Sequence, residues 1–312
     1  MKQTIKIAVC ILNYNNYHKA RRCIDSCLMQ QGNYPLFLYD NNSTDGKLDE
    51  LILDYKDRLN VIRSDTNYGF AKANNIIVKK MIELGYTHTL LLNNDTEFSN
   101  SRVLVTLYNA IKDNIDAGVI APIVVNKRIT GDEIVKNSSI LIKILLAMRI
   151  IPKQRLYTTS NYKTLYTAHG CALLVNNEVF QRVKGFPEYN FMYGEENAFC
   201  RKICLNNYRI VQCLSSESVT YHNHELDYND EPWRNYLCGR NLYLEIKLYH
   251  GCNKYKYAFL MKMYMVYCLL RRERGYEVFV QGMQDGKKIV KDRISDDEIR
   301  RLTIEYVKQN ID

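Results

Sequence analysis

From residue 5 to about residue 125, short apolar runs alternate with amphipathic segments of helix length. This alternation is typical of an α/β domain with a mainly parallel sheet, because consecutive parallel strands are joined by crossover helices. We predict strands at residues 6–12, 36–39, 61–63, 89–92 and 118–121. We predict helices at residues 17–30, 47–55, 71–84 and 101–114. Ligands of such sheets usually bind at the carboxyl ends of the strands, which places the loops after them around one crevice.

The second half of the chain has a different pattern. Residues 126–165 are less regular, and the apolar run at 140–151 fits either a helix or a hairpin. We then predict strands near 167–175, 208–212 and 218–221, and helices that begin at 176 and 195. Further helices are predicted at 233–249, 254–271, 277–290 and 296–307. The sequence therefore predicts an α/β domain over residues 1–232 and a helical extension over residues 233–312.

The chain carries 43 basic and 34 acidic residues, a formal net charge of +9. An excess of this size can attract nucleic acid, an anionic membrane or a phosphorylated substrate. Nucleic acid is disfavoured because the sequence has no zinc-finger spacing, RNP-like motif or dense basic arm. The basic helices near the carboxyl terminus, rich in Tyr and Met, fit either peripheral membrane association or simple packing, and a homodimer through them stays open.

No run of 18 apolar residues occurs, and the amino terminus lacks the apolar block of a signal peptide. We therefore expect a cytoplasmic protein, with the inner face of the cell membrane as a second location. The ten cysteines form no CxxC pair, which predicts reduced and mostly buried thiols.

Polar loops follow the first two predicted strands. Asn13 and Asn15 end the first, and Asp40 and Asn42 begin the loop after the second. A strand-end aspartate can accept hydrogen bonds from an imide base or a ribose hydroxyl, although Asn-rich loops are often only turns. These residues are candidates for binding a nucleotide.

A Gly-containing turn opens the third predicted helix. It contains Asp65, Gly69 and Lys72. Helix N-termini favour anions, and Lys72 adds a positive charge where phosphates could lie. Asp65 could cap the turn or contact the base.

The apolar run before Asn93 and Asn94 ends abruptly in Asp95. Hard divalent cations prefer oxygen ligands, and Mg²⁺ is commonly held by one or two carboxylates together with substrate phosphates. Asp95 is therefore the leading candidate metal ligand. It could instead cap the next helix, but Ser99 and Asn100 are better placed for that.

Two adjacent carboxylates, Glu195 and Glu196, stand at a predicted helix start. Acidic residues there ordinarily complement the helix dipole, but one of them could also act as a general base. His222 and His224 follow the last predicted strand. An HxH pair can place both rings on one side of a strand, although two histidines alone are a weak metal signal.

Taken together, these segments resemble glycosyltransferase family 2, in particular the rhamnosyltransferase-like branch associated with bacterial surface polysaccharides. The matching strings lie in family order across about residues 6–247. They are ILNYN, DNNSTDG, NYGFAKANN, LLLNNDT, HGCALLV, GFPEYNFMYGEEN, the histidine after the last strand, and RNLYLEIK.

The resemblance implies the GT-A fold, inversion at the anomeric carbon, and a Mn²⁺ or Mg²⁺ cofactor. It implies that Asn13, Asp40 and Asp65 contact the nucleoside, with Lys72 nearby. The Asp-x-Asp motif of the family falls on 93–95, so only its last carboxylate, Asp95, is present.

The same resemblance places the family's Glu-Asp base motif on residues 195–196. It implies Glu196 as catalytic base, with Glu195 as the alternative. Ala198 stands where a second acidic residue is often found. His222 aligns best with the histidine that can complete the metal and diphosphate site, and His224 is the alternative.

The expected activity is transfer of a hexosyl or deoxyhexosyl group from a UDP- or dTDP-sugar to a glycan, lipid-linked or protein-linked acceptor. A nucleotidyltransferase would use a similar sheet and metal, but the Gly-rich activating loop near the first strand is absent. A dinucleotide-dependent oxidoreductase is disfavoured because GxGxxG is absent. A nucleotide-sugar-binding or scaffold protein without catalysis stays open because of Asn93, Glu196 and Ala198.

Overall fold

The computed structural model of the protein describes residues 4–127, 133–134, 157–223, 232–245, 254–271 and 275–311. The segment 140–151 and His224 lie outside the described residues. The strands are β1 (Ile7–Asn13), β2 (Leu36–Asp40), β3 (Asn60–Arg63), β4 (His88–Asn93), β5 (Thr96–Phe98), β6 (Ala117–Ala121), β7 (Ile123–Lys127), β8 (Glu133–Ile134), β9 (Tyr162–Leu165), β10 (Ala172–Asn176), β11 (Arg209–Cys213) and β12 (Val219–Asn223).

The central sheet has eight strands in the order β3-β2-β1-β4-β10-β6-β11-β9. Strands β3, β2, β1 and β4 are mutually parallel, whereas β10 runs antiparallel to both of its neighbours. The carboxyl ends of the first four strands therefore share one edge, as the sequence predicts. The reversal at β10 brings the loop that precedes this strand to the same edge.

The helices of the α/β part are α1 (Tyr17–Leu28), α2 (Leu48–Tyr55), α3 (Gly69–Glu83), α4 (Val103–Asp113), α5 (Asn177–Arg182) and α6 (Glu195–Leu205). They cover both faces of the sheet. Alternate residues of β1 enter two separate cores, since Ala8 and Cys10 pack with α3 while Ile7, Val9 and Ile11 pack with α1. A strand buried on both faces is apolar throughout, as the continuous run in β1 indicates.

A second, smaller sheet lies beside the edge that carries the strand-end loops. Its order is β5-β12-β7-β8, and β5, β7 and β8 were not predicted from the sequence. Strand β5 has only three residues, so its pairing with β12, more than a hundred residues later, leaves no local pattern. In this sheet His222 pairs with Thr96 on one side and Asn126 on the other.

The carboxyl-terminal helices are α7 (Pro232–Leu244), α8 (Lys254–Arg271), α9 (Tyr276–Lys291) and α10 (Asp296–Ile311). Helices α7 and α9 cross with their backbones in contact. A Cβ added at Gly239 or Gly282 would therefore collide with a carbonyl of the facing helix. Tyr243, Leu260 and Met283 join the same core as α3 and α6. None of the helices described here has the length and apolarity that a bilayer crossing requires.

Candidate functional site

Hydrogen bonds between side chains fix the loops after β1, β2 and β4 relative to one another. Asn13 Nδ2 donates to Asp40 Oδ1 at 2.9 Å and to Ser43 Oγ at 3.2 Å, while Asn13 Oδ1 accepts from Asn94 Nδ2 at 2.9 Å. Asp40 Oδ2 accepts from the Ser43 backbone N–H at 3.0 Å. Asn13 and Asp40 are both buried. The buried amide of Asn13 thus joins all three loops.

The loop at 42–46 is held by a second asparagine. Asn15, at φ +55°, accepts at Oδ1 from the backbone N–H groups of Thr44 (2.7 Å) and Asp45 (3.2 Å). Asn42, at φ +64°, and Asp65, just beyond β3, are exposed. The structure thus brings the predicted nucleotide-binding residues to one edge of the central sheet. Asn13 and Asp40 are buried and support the loops, whereas Asn42 and Asp65 face solvent.

Two asparagines that the sequence analysis did not select shape the turn before α3. Asn41 Oδ1 accepts from the Tyr68 N–H at 2.9 Å, and its amide nitrogen donates to Asn67 Oδ1 at 2.8 Å. Asn67 Oδ1 also accepts from the Gly69 N–H at 2.9 Å. Residues 67–70, which we call the donor loop, are therefore tied to the end of β2.

The donor loop lies directly against residues 191–194, which we call the base loop because Glu195 follows them. The Phe70 N–H donates to the Phe191 carbonyl at 2.9 Å. Gly69 has φ +71°, and a Cβ there would collide with this carbonyl. Only glycine satisfies both the backbone angle and the close approach.

Gly69→Ala is expected to lower the free energy of unfolding by about 2–4 kcal/mol, because the strained φ and the collision add together. Gly85→Ala is the matched control, since Gly85 also has a positive φ but open space around its Cβ position. That control should lose only about 1–2 kcal/mol. Urea denaturation of both variants measures the difference, and equal losses would contradict the collision.

Two basic side chains lie against the ring of Tyr68 in the donor loop. Lys72 Nζ lies 4.8 Å from the ring centroid, and the guanidinium carbon of Arg300 lies 5.3 Å from it. Arg300 Nε is buried and has no hydrogen-bond partner among the described residues. The sequence predicted Lys72, whereas Arg300 arrives from α10 without any local signal.

Asp95 and His222 lie side by side between the two sheets. His222 Nε2 is 3.3 Å from Asp95 Oδ1, and His222 Nδ1 is 3.2 Å from Asn126 Oδ1. A proton on Nδ1 would donate to Asn126 Oδ1 and leave the lone pair of Nε2 facing Asp95 Oδ1. Two electron-rich atoms then face each other at a separation that suits adjacent ligands of one divalent cation. The donor set thus fits a metal ion.

The segment before β10 adds a histidine that the sequence analysis did not select. The ring centroids of His169 and His222 are 5.0 Å apart. The ligand atoms of His169, Cys171 and His222 all lie within 4.8 Å of one another. Burial, with the nearby charge of Asp95, raises the pKa of the Cys171 thiol, and Mg²⁺ or Mn²⁺ disfavours a soft thiolate as a ligand. His169 is therefore the better third candidate, and its only signal was its place in HGCALLV.

Glu195 and Glu196 begin α6 after Gly194, which caps the helix at φ +86°. Glu195 is 5% exposed, and Glu196 is half-buried. Burial, and then the charge of Glu196, raises the pKa of Glu195 well above its usual value. Burial also raises the pKa of Glu196, opposed by the charges of Arg201 and Arg234. Glu196 is thus the accessible carboxylate of the pair.

Gly170 lies against Glu196 and belongs to the segment that approaches the Asp95–His222 pair. A Cβ at this position would lie 3.3 Å from the Cβ of Glu196, so the Glu196 side chain packs on the backbone between His169 and Cys171. The same short segment approaches the Asp95–His222 pair. The structure therefore brings Glu196, Asp95 and His222 around residues 169–171.

The helical extension holds the base loop through side-chain hydrogen bonds. Asn241 Nδ2 donates to the carbonyls of Met192 (2.9 Å) and Tyr193 (2.7 Å). The buried Arg240 donates to Asn241 Oδ1 at 2.8 Å through Nη2. The Arg-Asn pair of RNLYLEIK thus orients the turn that precedes Glu195.

Residues 8–183 match the family described as Glycosyl transferase family 2. The chain belongs to glycosyltransferase family 2. A curated relative, the low-salt glycan biosynthesis hexosyltransferase Agl10 of Haloferax volcanii, is 25% identical over 242 residues, which are 76% of this chain and 74% of that protein.

Solved structures support the GT-A fold that the family resemblance implied. The structure of GalNAc-T7 with UDP, GalNAc and Mn²⁺ superposes with a TM-score of 0.58 at 15% identity, over 79% of this chain and 48% of that one. S. aureus TarS 1-349 with UDP-GlcNAc gives 0.56 at 17% identity, over 82% and 70%. The mannosyltransferase PcManGT of Pyrobaculum calidifontis with GDP-Man and Mn²⁺ gives 0.55 at 12% identity, over 99% and 75%. The rhamnosyltransferase-like branch stays a prediction.

Proposed function

We propose that this family 2 glycosyltransferase moves a hexosyl or deoxyhexosyl group from a UDP- or dTDP-sugar to a hydroxyl acceptor, with inversion at the anomeric carbon. The observation that carries the proposal is the convergence of Glu196 with the Asp95–His222 pair across residues 169–171. The hexosyltransferase relative and the neighbours bound to UDP or UDP-GlcNAc support the donor class.

The donor would bind across the strand-end loops. Asn42 and Asp65 are exposed there and can accept hydrogen bonds from the base and ribose. Lys72 and Arg300 both lie against the ring of Tyr68 at the start of α3. A diphosphate bound there would contact both cations and a helix N-terminus. In this proposal Asn13, Asn15, Asp40, Asn93 and Asn94 shape the loops around the nucleotide.

Asp95, His222 and His169 would hold Mn²⁺ or Mg²⁺. When bound, the cation offsets the negative charge that develops on the departing diphosphate. The neighbours that contain Mn²⁺ support the use of a divalent cation. In this arrangement a proton on His222 Nδ1 would donate to Asn126 Oδ1 and leave Nε2 available to the cation.

Glu196 would act as the general base. Its carboxylate takes the proton of the acceptor hydroxyl, and the oxygen attacks the anomeric carbon from the face opposite the diphosphate. A new C–O bond forms as the bond to the diphosphate breaks, and the configuration inverts. The raised pKa of Glu196 strengthens it as a base, and burial favours the neutral form of Glu195 beside it.

The acceptor would be a hydroxyl of a glycan, or of a lipid-linked or protein-linked sugar, in surface glycan synthesis. The relative named for glycan biosynthesis supports this class. The base loop and α7 would line the acceptor side, since Asn241 joins them.

The proposal is tested by incubating the purified chain with simple glycosides as hydroxyl acceptors and with UDP-Glc, UDP-Gal, UDP-GlcNAc, dTDP-rhamnose or GDP-Man, in the presence of Mn²⁺ or EDTA. We expect nucleoside diphosphate release from a UDP- or dTDP-sugar that needs the metal, and a product anomer opposite to the donor by NMR. A retained anomer would overturn the inverting mechanism. Folded protein that turns over none of the donors would favour the scaffold alternative.

A further inference from the structure

Helix α8 is apolar on two opposite sides. On one side Leu260 is buried, and Tyr264 and Met265 pack against the core shared with the α/β part. The ring of Tyr264 meets that of Phe279 edge-on, with centroids 6.2 Å apart. This side accounts for how the helix is attached to the molecule.

The other side exposes large apolar residues. They are Tyr255 (76% exposed), Phe259 (59%), Met263 (51%), Val266 (38%) and Leu270 (80%). Steps of four, four, three and four residues place them in one stripe along the helix. At 1.5 Å per residue the stripe is about 22 Å long. We call these five residues the α8 stripe.

An exposed apolar residue is ordinary when it stands alone. The other exposed large apolar residues of the described chain are scattered over separate elements: Tyr14, Met29, Leu53, Leu84, Ile115 and Ile134. Contiguous apolar surface instead marks a site that contacts a partner or a membrane. The α8 stripe is therefore a contact surface.

The positive charge of α8 indicates which kind of partner the α8 stripe contacts. Residues 254–271 include four basic residues and no acidic one, and Lys262 is exposed beside Met263. Pairing this surface with a second copy would bring like charges together, whereas an anionic lipid surface attracts each Lys or Arg by about 1 kcal/mol. We propose that the α8 stripe inserts into the interface of an anionic membrane, with the helix lying in its plane.

The position of α8 connects this contact to the crevice. It packs on α9 through Tyr264 and Phe279, and α9 crosses α7, which carries Asn241 of the base-loop contact. On the proposed function, membrane binding would bring the acceptor side close to a lipid-carried hydroxyl. The binding itself needs no catalysis and is tested separately.

The test is cosedimentation of the full chain with vesicles of phosphatidylcholine, either pure or containing about 30% phosphatidylglycerol. We expect binding to the anionic vesicles and at least about tenfold weaker binding to the neutral ones. Phe259→Ser combined with Leu270→Ser should weaken anionic binding by a further tenfold or more, because two apolar anchors are lost. Its urea midpoint should stay near wild type because both side chains are exposed.

Leu53→Ser combined with Ile115→Ser is the matched control, since these residues are 68% and 73% exposed elsewhere. It should bind vesicles like the wild type. Failure of the wild type to bind, or equal losses in the two double variants, would overturn the proposal. So would a dimer by light scattering that Phe259→Ser and Leu270→Ser convert to a monomer, because the stripe would then be covered by a second copy.

Discussion

Glu196→Gln is expected to lower kcat by about 10²–10⁴-fold, the usual contribution of a general base. The amide keeps the size of the side chain and its place against Gly170 but accepts no proton. Affinity for the nucleoside diphosphate should stay within a few-fold of wild type, because the proposed nucleotide site at the strand-end loops does not include this carboxylate. Steady-state kinetics at saturating donor, with calorimetric titration of UDP or dTDP, measures both quantities.

Glu195→Gln is the control beside it. Glu195 is buried, and burial raises its pKa and so favours the neutral carboxyl, which the amide imitates. Its kcat should therefore stay within a few-fold of wild type. If Glu195→Gln lost activity while Glu196→Gln kept it, Glu195 would be the base. Near wild-type turnover of Glu196→Gln would refute the assignment of Glu196.

Asp95→Asn should reduce kcat/KM by about 10²–10³-fold, because the site loses the charged oxygen ligand among its candidate residues. It should also raise the Mn²⁺ concentration needed for half-maximal activity. The shape of the side chain and the position of β5 are preserved, so folding should not change. A Mn²⁺ titration of activity, with circular dichroism as the check on folding, measures the effect.

Asp57→Asn provides the matched control, since Asp57 is an exposed aspartate in the short 3₁₀ turn after α2. It should leave the Mn²⁺ titration unchanged. An Asp95→Asn enzyme with the same metal dependence as wild type would show that the cation, if used, is held elsewhere.

The parts of the fold that the sequence predicts are those with a local pattern. Strands β1 and β4 are continuous apolar runs buried on both faces, and their predicted positions agree with the structure to within about one residue. The donor-loop turn is marked by a glycine that the backbone requires. The helices of the extension are likewise marked by their periodicity.

The parts that the sequence leaves open depend on contacts between distant segments. Strand β5 exists because β12 pairs with it, and that pairing sets His222 beside Asp95. His169 reaches the same place because β10 runs antiparallel to β4. Arg300 comes from the last helix, where nothing in the local sequence distinguishes it from the other basic residues.

Glu195 and Glu196 likewise differ in a way that depends on packing and has no local sequence signal. The sequence places Glu195 and Glu196 together at a helix start, and the family resemblance favours Glu196 as the base with Glu195 as the alternative. Their difference comes from packing, since Glu195 points into the molecule and Glu196 packs along Gly170 at the crevice. Burial therefore supports the proposed role of Glu196 as the base.

The most direct test of the central claim, a metal-assisted nucleotide-sugar site at the strand ends, is thermal unfolding with UDP, dTDP, GDP, CMP or ADP, each with Mn²⁺ or EDTA. A ligand at a hundred times its Kd stabilises the folded state by about 2.7 kcal/mol, which raises the Tm by several degrees. We predict such a rise for UDP or dTDP with Mn²⁺, its loss with EDTA, and its loss in Asp95→Asn. A Tm that no nucleotide changes in the presence of Mn²⁺ would contradict the claim.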